Sequence, residues 1–172
     1  MKWMMALSGL IVAAPIQAEV KAADANGLIV KQLVHIAAPP ETVYAALLTP
    51  GRWWDSAHSW SGSAANITLD PVAGGCFCET IPAVSGAAEH GRIVNIVPNR
   101  LIRLRAELGP FQAMGVAGAL SWELAPADGG TTFSQTYAVG GFMPGGFQPM
   151  AAAVDGVMGG QASRLKAFVE GK

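Results

Sequence analysis

The chain has 172 residues, enough for one domain with a substantial core and short for two ordinary ones. Hydrophobic residues make up 51% and charged residues 13%, with 21 glycines, which excludes a disordered or solvating chain. The formal net charge is -1 and the 11 lysines and arginines form no run, so the basic footprint of nucleic-acid binding is absent.

The N-terminus carries its own signal. Lys2 precedes an apolar stretch over residues 3–14, and Pro15-Ile16-Gln17-Ala18 follows before the first acidic residue, Glu19. A cationic start, a short apolar segment and a small residue at a cleavage position predict a secretory signal peptide over 1–18. A buried N-terminal helix is the alternative reading. On the first reading residues 19–172 form the mature domain, exported to a periplasm or out of the cell. No later apolar run reaches the roughly 18–20 residues of a bilayer span, so no stable membrane span is expected after signal removal.

Residues 28–36 (LIVKQLVHI) read as a mostly apolar strand. Pro39-Pro40 ends it, and Pro40 suits the first position of a helix over 41–47, where its missing N–H would be unpaired anyway. Thr49-Pro50 repeats the device as a threonine N-cap with proline behind it, and leads to the adjacent Trp53 and Trp54. Two short helices after the first strand point to an architecture built around a cavity.

Short strands follow at 66–69 and 76–81, then a loop over 82–88, a strand over 90–97, a turn at Pro98-Asn99 and a strand over 101–108. Gly109-Pro110 breaks the pattern, with a bulge or helical turn at 111–114. Strands over 119–124 and 131–139 are joined by the hairpin turn at 126–130. A glycine-rich loop over 140–146 opens the only long helix, on which Met150, Val154, Val157, Met158, Gln161, Leu165 and Phe168 share a buried face. The loop lacks the lysine and hydroxyl of a phosphate loop. It is expected to allow sharp entry into the helix, and Gly156, Gly159 and Gly160 suggest a close helix–sheet approach or a mobile lid.

Cys76 and Cys78 stand at i and i+2 on one strand face. A disulfide between them would close a very small ring. Metal binding would need two more ligands, such as His58 and His90, at a spacing that matches no strong zinc pattern. The expectation is two buried thiols, with neither metal nor cofactor.

The order is strand, two short helices, a run of antiparallel strands and one long amphipathic helix. Without βαβ alternation this is an α+β fold, with the helix laid across a curved sheet and an apolar pocket between them. The segments IAAPPETVYAALLTPGRWWD, GCFCE, GRIVNIVPNRLIRL and GGTTFSQTYAVGG, with the terminal helix, resemble the START-like (SRPBCC) superfamily. They are most similar to its polyketide cyclase/dehydrase-like and chaperone-ATPase-activator-like branches. The resemblance implies a helix-grip fold, a sheet of about seven strands wrapped around the C-terminal helix, and a deep hydrophobic cavity beneath that helix. It transfers no catalytic signature, because the superfamily places many functions on one scaffold.

An apolar or amphipathic small molecule is therefore the expected partner, bound by a monomer or homodimer. The candidate ligand contacts are Trp54, His58, Glu79, His90, Arg103, Phe111, Met114, Tyr137, Val154 and Met158. In a hairpin turning near 83–88, Glu79 and His90 fall roughly opposite, and a carboxylate orienting an imidazole suits general acid–base chemistry. They also suit an exposed cross-strand pair. Arg103 is either a ligand-carboxylate anchor or a residue of the solvated sheet face. A binding protein, a cyclase or dehydratase working in the same cavity, and a protein-interaction module all remain open.

Overall fold

The computed structural model describes residues 17–172. Eight antiparallel strands form one sheet in the order β1-β2-β8-β7-β6-β5-β4-β3. They are β1 (Gln17–Ala23), β2 (Gly27–Ile36), β3 (Ile67–Leu69), β4 (Cys76–Ile81), β5 (Gly86–Val97), β6 (Leu101–Arg105), β7 (Gly115–Ala127) and β8 (Gly130–Phe142). The helices are α1 (Pro40–Leu47) and α2 (Ala151–Glu170), and short 3-10 turns follow α1 at Pro50–Arg52, Ser56–His58 and Ala64–Asn66. This is the α+β, helix-grip arrangement expected from the sequence, with one additional strand.

That strand is β1, which pairs with β2 and includes Gln17 and Ala18 opposite Leu33 and Gln32. The rest of the expected signal segment lies outside the described residues. Among the described residues, no helix is long and apolar enough to cross a membrane.

Proline placement explains the entry to the fold. Pro40 opens α1 and Pro50 opens the first 3-10 turn. Thr49 departs from its expected capping role, since its hydroxyl donates to the Ala46 carbonyl instead. The 126–130 hairpin tightens to a turn at Asp128-Gly129, with Gly129 at φ 70°. Period-two alternation puts Leu28, Val30, Val34 and Ile36 of β2 and Phe133, Tyr137 and Val139 of β8 into one core.

The long helix does not cover the sheet evenly. α2 packs on β2, β1 and β8 through Met158, Ala162 and Leu165. A buried polar row joins these layers. Gln32 and Gln135 are register partners, as are Gln135 and Trp122. Trp122 Nε1 donates to Gln135 Oε1 at 2.9 Å, and Gln135 Nε2 donates to Gln32 Oε1 at 3.2 Å and to the Met158 carbonyl at 2.8 Å. Gln32 Nε2 then donates to Asp155 Oδ1 at 2.8 Å. Each satisfied group avoids the roughly 1–3 kcal/mol cost of a buried orphan, so the row fixes both strand register and helix position.

A close helix–sheet approach does not explain the helix glycines. A Cβ at Gly156 or Gly160 would meet nothing within 4 Å, and one at Gly159 would make only an ordinary contact with Ala18.

Candidate functional site

Beyond the reach of α2, the β4–β6 side of the sheet is closed by two loops. The first runs over residues 53–60 and is tied on three sides. Trp53 Nε1 donates to the Ala46 carbonyl of α1 at 2.8 Å. Asp55 N donates to Gln161 Oε1 of α2 at 2.9 Å, and Arg164 pairs with the Asp55 carboxylate at 3.2 Å. Trp60 N and Ser61 N donate to the two oxygens of Glu79 on β4 at 3.0 and 2.5 Å. The second loop leaves β6 and turns through a 3-10 segment at Gly109–Ala113, held where Leu108 N donates to Tyr137 Oη at 3.1 Å. Gly118 lets Tyr137 lie flat on β7, since a Cβ there would meet the ring at 3.2 Å and the Ala106 carbonyl at 2.1 Å.

Between these loops and the first half of α2 lies a cavity of about 320 Å³. Its walls include Trp54, Trp60, Leu108, Pro110, Phe111, Val154, Val157 and Met158, with His58, Ser59, His90 and Tyr137 among the polar side chains that line it. Edge-on and tilted aromatic contacts stiffen the floor. Phe77 lies 5.4 Å from Trp54, 6.0 Å from Trp122 and 5.2 Å from His90 between ring centroids. Phe111 lies 6.2 Å from Tyr137 and 6.3 Å from Phe147. Such pairs add about 0.5–1.5 kcal/mol each beyond burial.

His90 reaches the cavity because of a β-bulge. Phe77 pairs with Gly91 and Cys78 with Glu89, which leaves His90 as the extra residue of β5. Its ring turns inward and Nε2 lies 2.9 Å from Glu79 Oε2, with both side chains almost wholly buried. Gly91 lets the bulge sit against β6, as a Cβ there would meet the Arg105 carbonyl at 2.6 Å. Burial pushes the Glu79 carboxyl up, but hydrogen bonds from Ser61, Trp60 and His90 outweigh it and hold the group below its ordinary value. An ionised Glu79 only accepts, so His90 Nε2–H is the donor. Burial pushes the Tyr137 hydroxyl up to about 12, against the hydrogen bond from Leu108, and keeps it neutral.

Of the expected contacts, Trp54, His58, His90, Phe111, Tyr137, Val154 and Met158 line the cavity. Three do not. Glu79 stands behind His90, and its true register partner is Ala88. Met114 follows the 3-10 turn and is 37% exposed. Arg103 points out of the sheet, where it donates to Ser121 Oγ at 2.8 Å and pairs with Glu123 at 3.1 Å, because Ile102 and Leu104 take the inward positions. Wall residues not among the expected contacts are Ala57, Ser59, Trp60, Met150, Ala153, Val157, Gly109, Leu108 and Pro110. The Gly109-Pro110 break was the visible signal for the last two.

The cysteine expectation is also corrected. Cys76 and Cys78 form a disulfide with Cα atoms 5.4 Å apart, inside the ordinary range, and they lie half-buried on the outer face. Among the described residues no three His, Cys, Asp or Glu side chains are grouped to hold a metal ion.

Known structures share this architecture. CalU16 from Micromonospora echinospora is 16% identical over 92% of this chain and 86% of its own, with a TM-score of 0.63. An uncharacterised protein from Rhizobium leguminosarum is 20% identical over 92% of this chain and 100% of its own, at 0.60. The AHSA1-like protein from Aeromonas hydrophila is 19% identical over 83% and 92%, at 0.55. At these identities the likeness speaks for fold alone. No curated protein matches the chain. The family described as "Polyketide cyclase / dehydrase and lipid transport" matches residues 28–170. With its helix-grip sheet and that match across nearly all the described residues, the chain belongs to this family of the START-like (SRPBCC) superfamily.

Proposed function

We propose that this is an exported small-molecule binding protein that holds an apolar or amphipathic ligand under the first half of α2. The observation that carries the reading is the cavity of about 320 Å³, apolar on most sides, with a few fixed polar groups at its floor. That size is at the lower end of small-molecule sites, which are mostly apolar with few orienting groups. A ligand burying about 200 Å² of apolar surface would gain on the order of 5 kcal/mol at roughly 25 cal/mol per Å². Tyr137 Oη and His90 would orient its polar end. Export is supported by the Lys2-to-Ala18 pattern and by the Cys76–Cys78 disulfide, since disulfides persist in oxidising compartments.

Native mass spectrometry of protein purified from its own host, with extraction of any co-purified lipid, tests the binding. A protein consistently empty and indifferent to fatty acids and polyketide-like aromatics would sink it. N-terminal sequencing of the same material tests export, with a start near Glu19 expected.

A second reading rests on the Glu79–His90 pair. A buried carboxylate that orients an imidazole at a cavity wall is the arrangement of a general acid–base pair. The corresponding activity is cyclisation or dehydration of an enolisable, polyketide-like substrate. Unchanged turnover in His90→Ala would remove that residue from any mechanism.

A further inference from the structure

The Cys76–Cys78 disulfide lies on the outer face of β4, opposite to Phe77 and Glu79, which point to the core. It takes no part in the cavity. Nor is it suited to stapling the fold. A cross-link stabilises chiefly by closing a loop in the unfolded chain, and a separation of two residues closes nearly the smallest loop available. The segment is already held from both sides, with Cys78 paired to Thr68 of β3 and to Glu89 of β5, and Cys76 to Arg92 of β5.

The surroundings distinguish the two sulfurs. Arg92 faces Cys76 across the ladder, and its guanidinium donates to the Gly74 carbonyl at 3.1 Å and pairs with Glu89 at 2.7 Å. That draws the cation across the outer face of the strand beside the pair. Glu89 faces Cys78. A thiolate is favoured beside an arginine and disfavoured beside a carboxylate, so Cys76 is the better leaving group.

We propose that Cys76–Cys78 is a thiol–disulfide exchange site for an exposed dithiol that approaches the outer face of β4. One thiolate of the dithiol attacks Cys78 Sγ, the S–S bond breaks, and Cys76 leaves as a thiolate beside Arg92. The second thiol of the dithiol loses its proton and attacks the partner sulfur of the mixed disulfide, which releases the Cys78 thiolate. Two electrons pass from the dithiol to the pair. The dithiol becomes a disulfide, and Cys76 and Cys78 take up protons as thiols. The cavity lies on the opposite face of β4, so ligand binding and exchange do not compete for space.

The test equilibrates the folded chain in buffers of reduced and oxidised dithiothreitol at stepped ratios. Samples are acid-quenched, alkylated and assigned by peptide mass spectrometry, with far-UV circular dichroism recorded in the same buffers. Reversible two-electron interconversion with unchanged circular dichroism is expected. In the reduced protein iodoacetamide should modify Cys76 several-fold faster than Cys78, and Arg92→Gln should remove most of that preference. Three results would overturn the proposal: reduction only where the fold is lost, two free thiols in the most oxidising buffer, or equal alkylation of both cysteines in the unaltered protein.

Discussion

The half of the sheet under α2 and the half under the 53–60 loop both bury polar side chains, but they satisfy them differently. Under α2, Gln32, Gln135, Trp122 and Asp155 form a closed row in which the amides bond one another and the helix backbone. Under the loop, Glu79 spends its oxygens on Trp60 N, Ser61 N and His90, while the other face of His90 borders the cavity. One side closes its amide row on itself and on the helix. The other is a core with one polar ring left available, and the bulge in β5 makes it so. The same fold thus separates the region that holds it together from the region that encloses the cavity.

Breaking the closed row should have the largest effect on stability. Gln135→Leu leaves Trp122 Nε1 and Gln32 Oε1 buried without partners, a loss on the order of 4 kcal/mol. Urea unfolding should show a lower midpoint with an unchanged slope. Binding of a fluorescent fatty acid by the remaining folded protein should be little altered. A comparable loss of affinity would mean the two halves are not separate.

Glu79→Gln should act on the other half. The amide cannot accept from both backbone donors and His90 as the carboxylate does, so a loss of about 2 kcal/mol is expected. Here affinity should fall too, because the 53–60 loop and His90 form the cavity wall. The pH dependence follows from the Glu79 carboxyl being held below its ordinary value by its hydrogen bonds. A carboxyl held below its unfolded value contributes stability that is fully present above that value, near 4.5. This stability is lost as pH falls through the folded value. Glu79→Gln should therefore flatten part of the acid limb below about pH 4.5.

A second acid effect belongs to Glu170 at the end of α2. Burial pushes it up, yet hydrogen bonds from Lys166, Lys172 and the Ala37 N–H bring it down to about 2. Its contribution is present above about 4.5 and fades toward pH 2, so Glu170→Gln should lower the melting temperature at pH 7 but much less at pH 2.5. Circular dichroism melts at the two pH values check it.

The contrast between the halves was only partly legible in the sequence. Pro39-Pro40, the 126–130 turn and the periodicity of the last helix announced the element order, because proline, glycine and apolar spacing act locally. Gln32 shares its strand parity with Val30 and Val34, and Gln135 with Phe133 and Tyr137, so the closed row could have been read from alternation. Arg103 could have been placed outward the same way, between Ile102 and Leu104. The Glu79–His90 contact was anticipated through the wrong register. A bulge adds a residue without altering composition, and alternation cannot show it until the partner strand is known. The β1 strand was hidden because its residues 17–18 also fit a cleavage site.

The smallest effect concerns the helix that joins the two halves. Gly156 lies between Val154 and Met158, which line the cavity, and Gly160 lies between Met158 and the buried Gln161; a methyl group at either would meet nothing within 4 Å. Packing therefore gives no reason for glycine, which costs a helix interior up to about 1 kcal/mol relative to alanine. Gly156→Ala and Gly160→Ala should each stabilise by up to that amount, read as a rise in the urea midpoint. Stopped-flow uptake of the fluorescent fatty acid then distinguishes two roles for them. Slower uptake at unchanged affinity in the double variant would mean that the glycines let the first half of α2 open while Gln161 and Leu165 stay seated. Unchanged uptake would leave the helix a rigid cover and put the entrance at the exposed Trp60 side of the 53–60 loop.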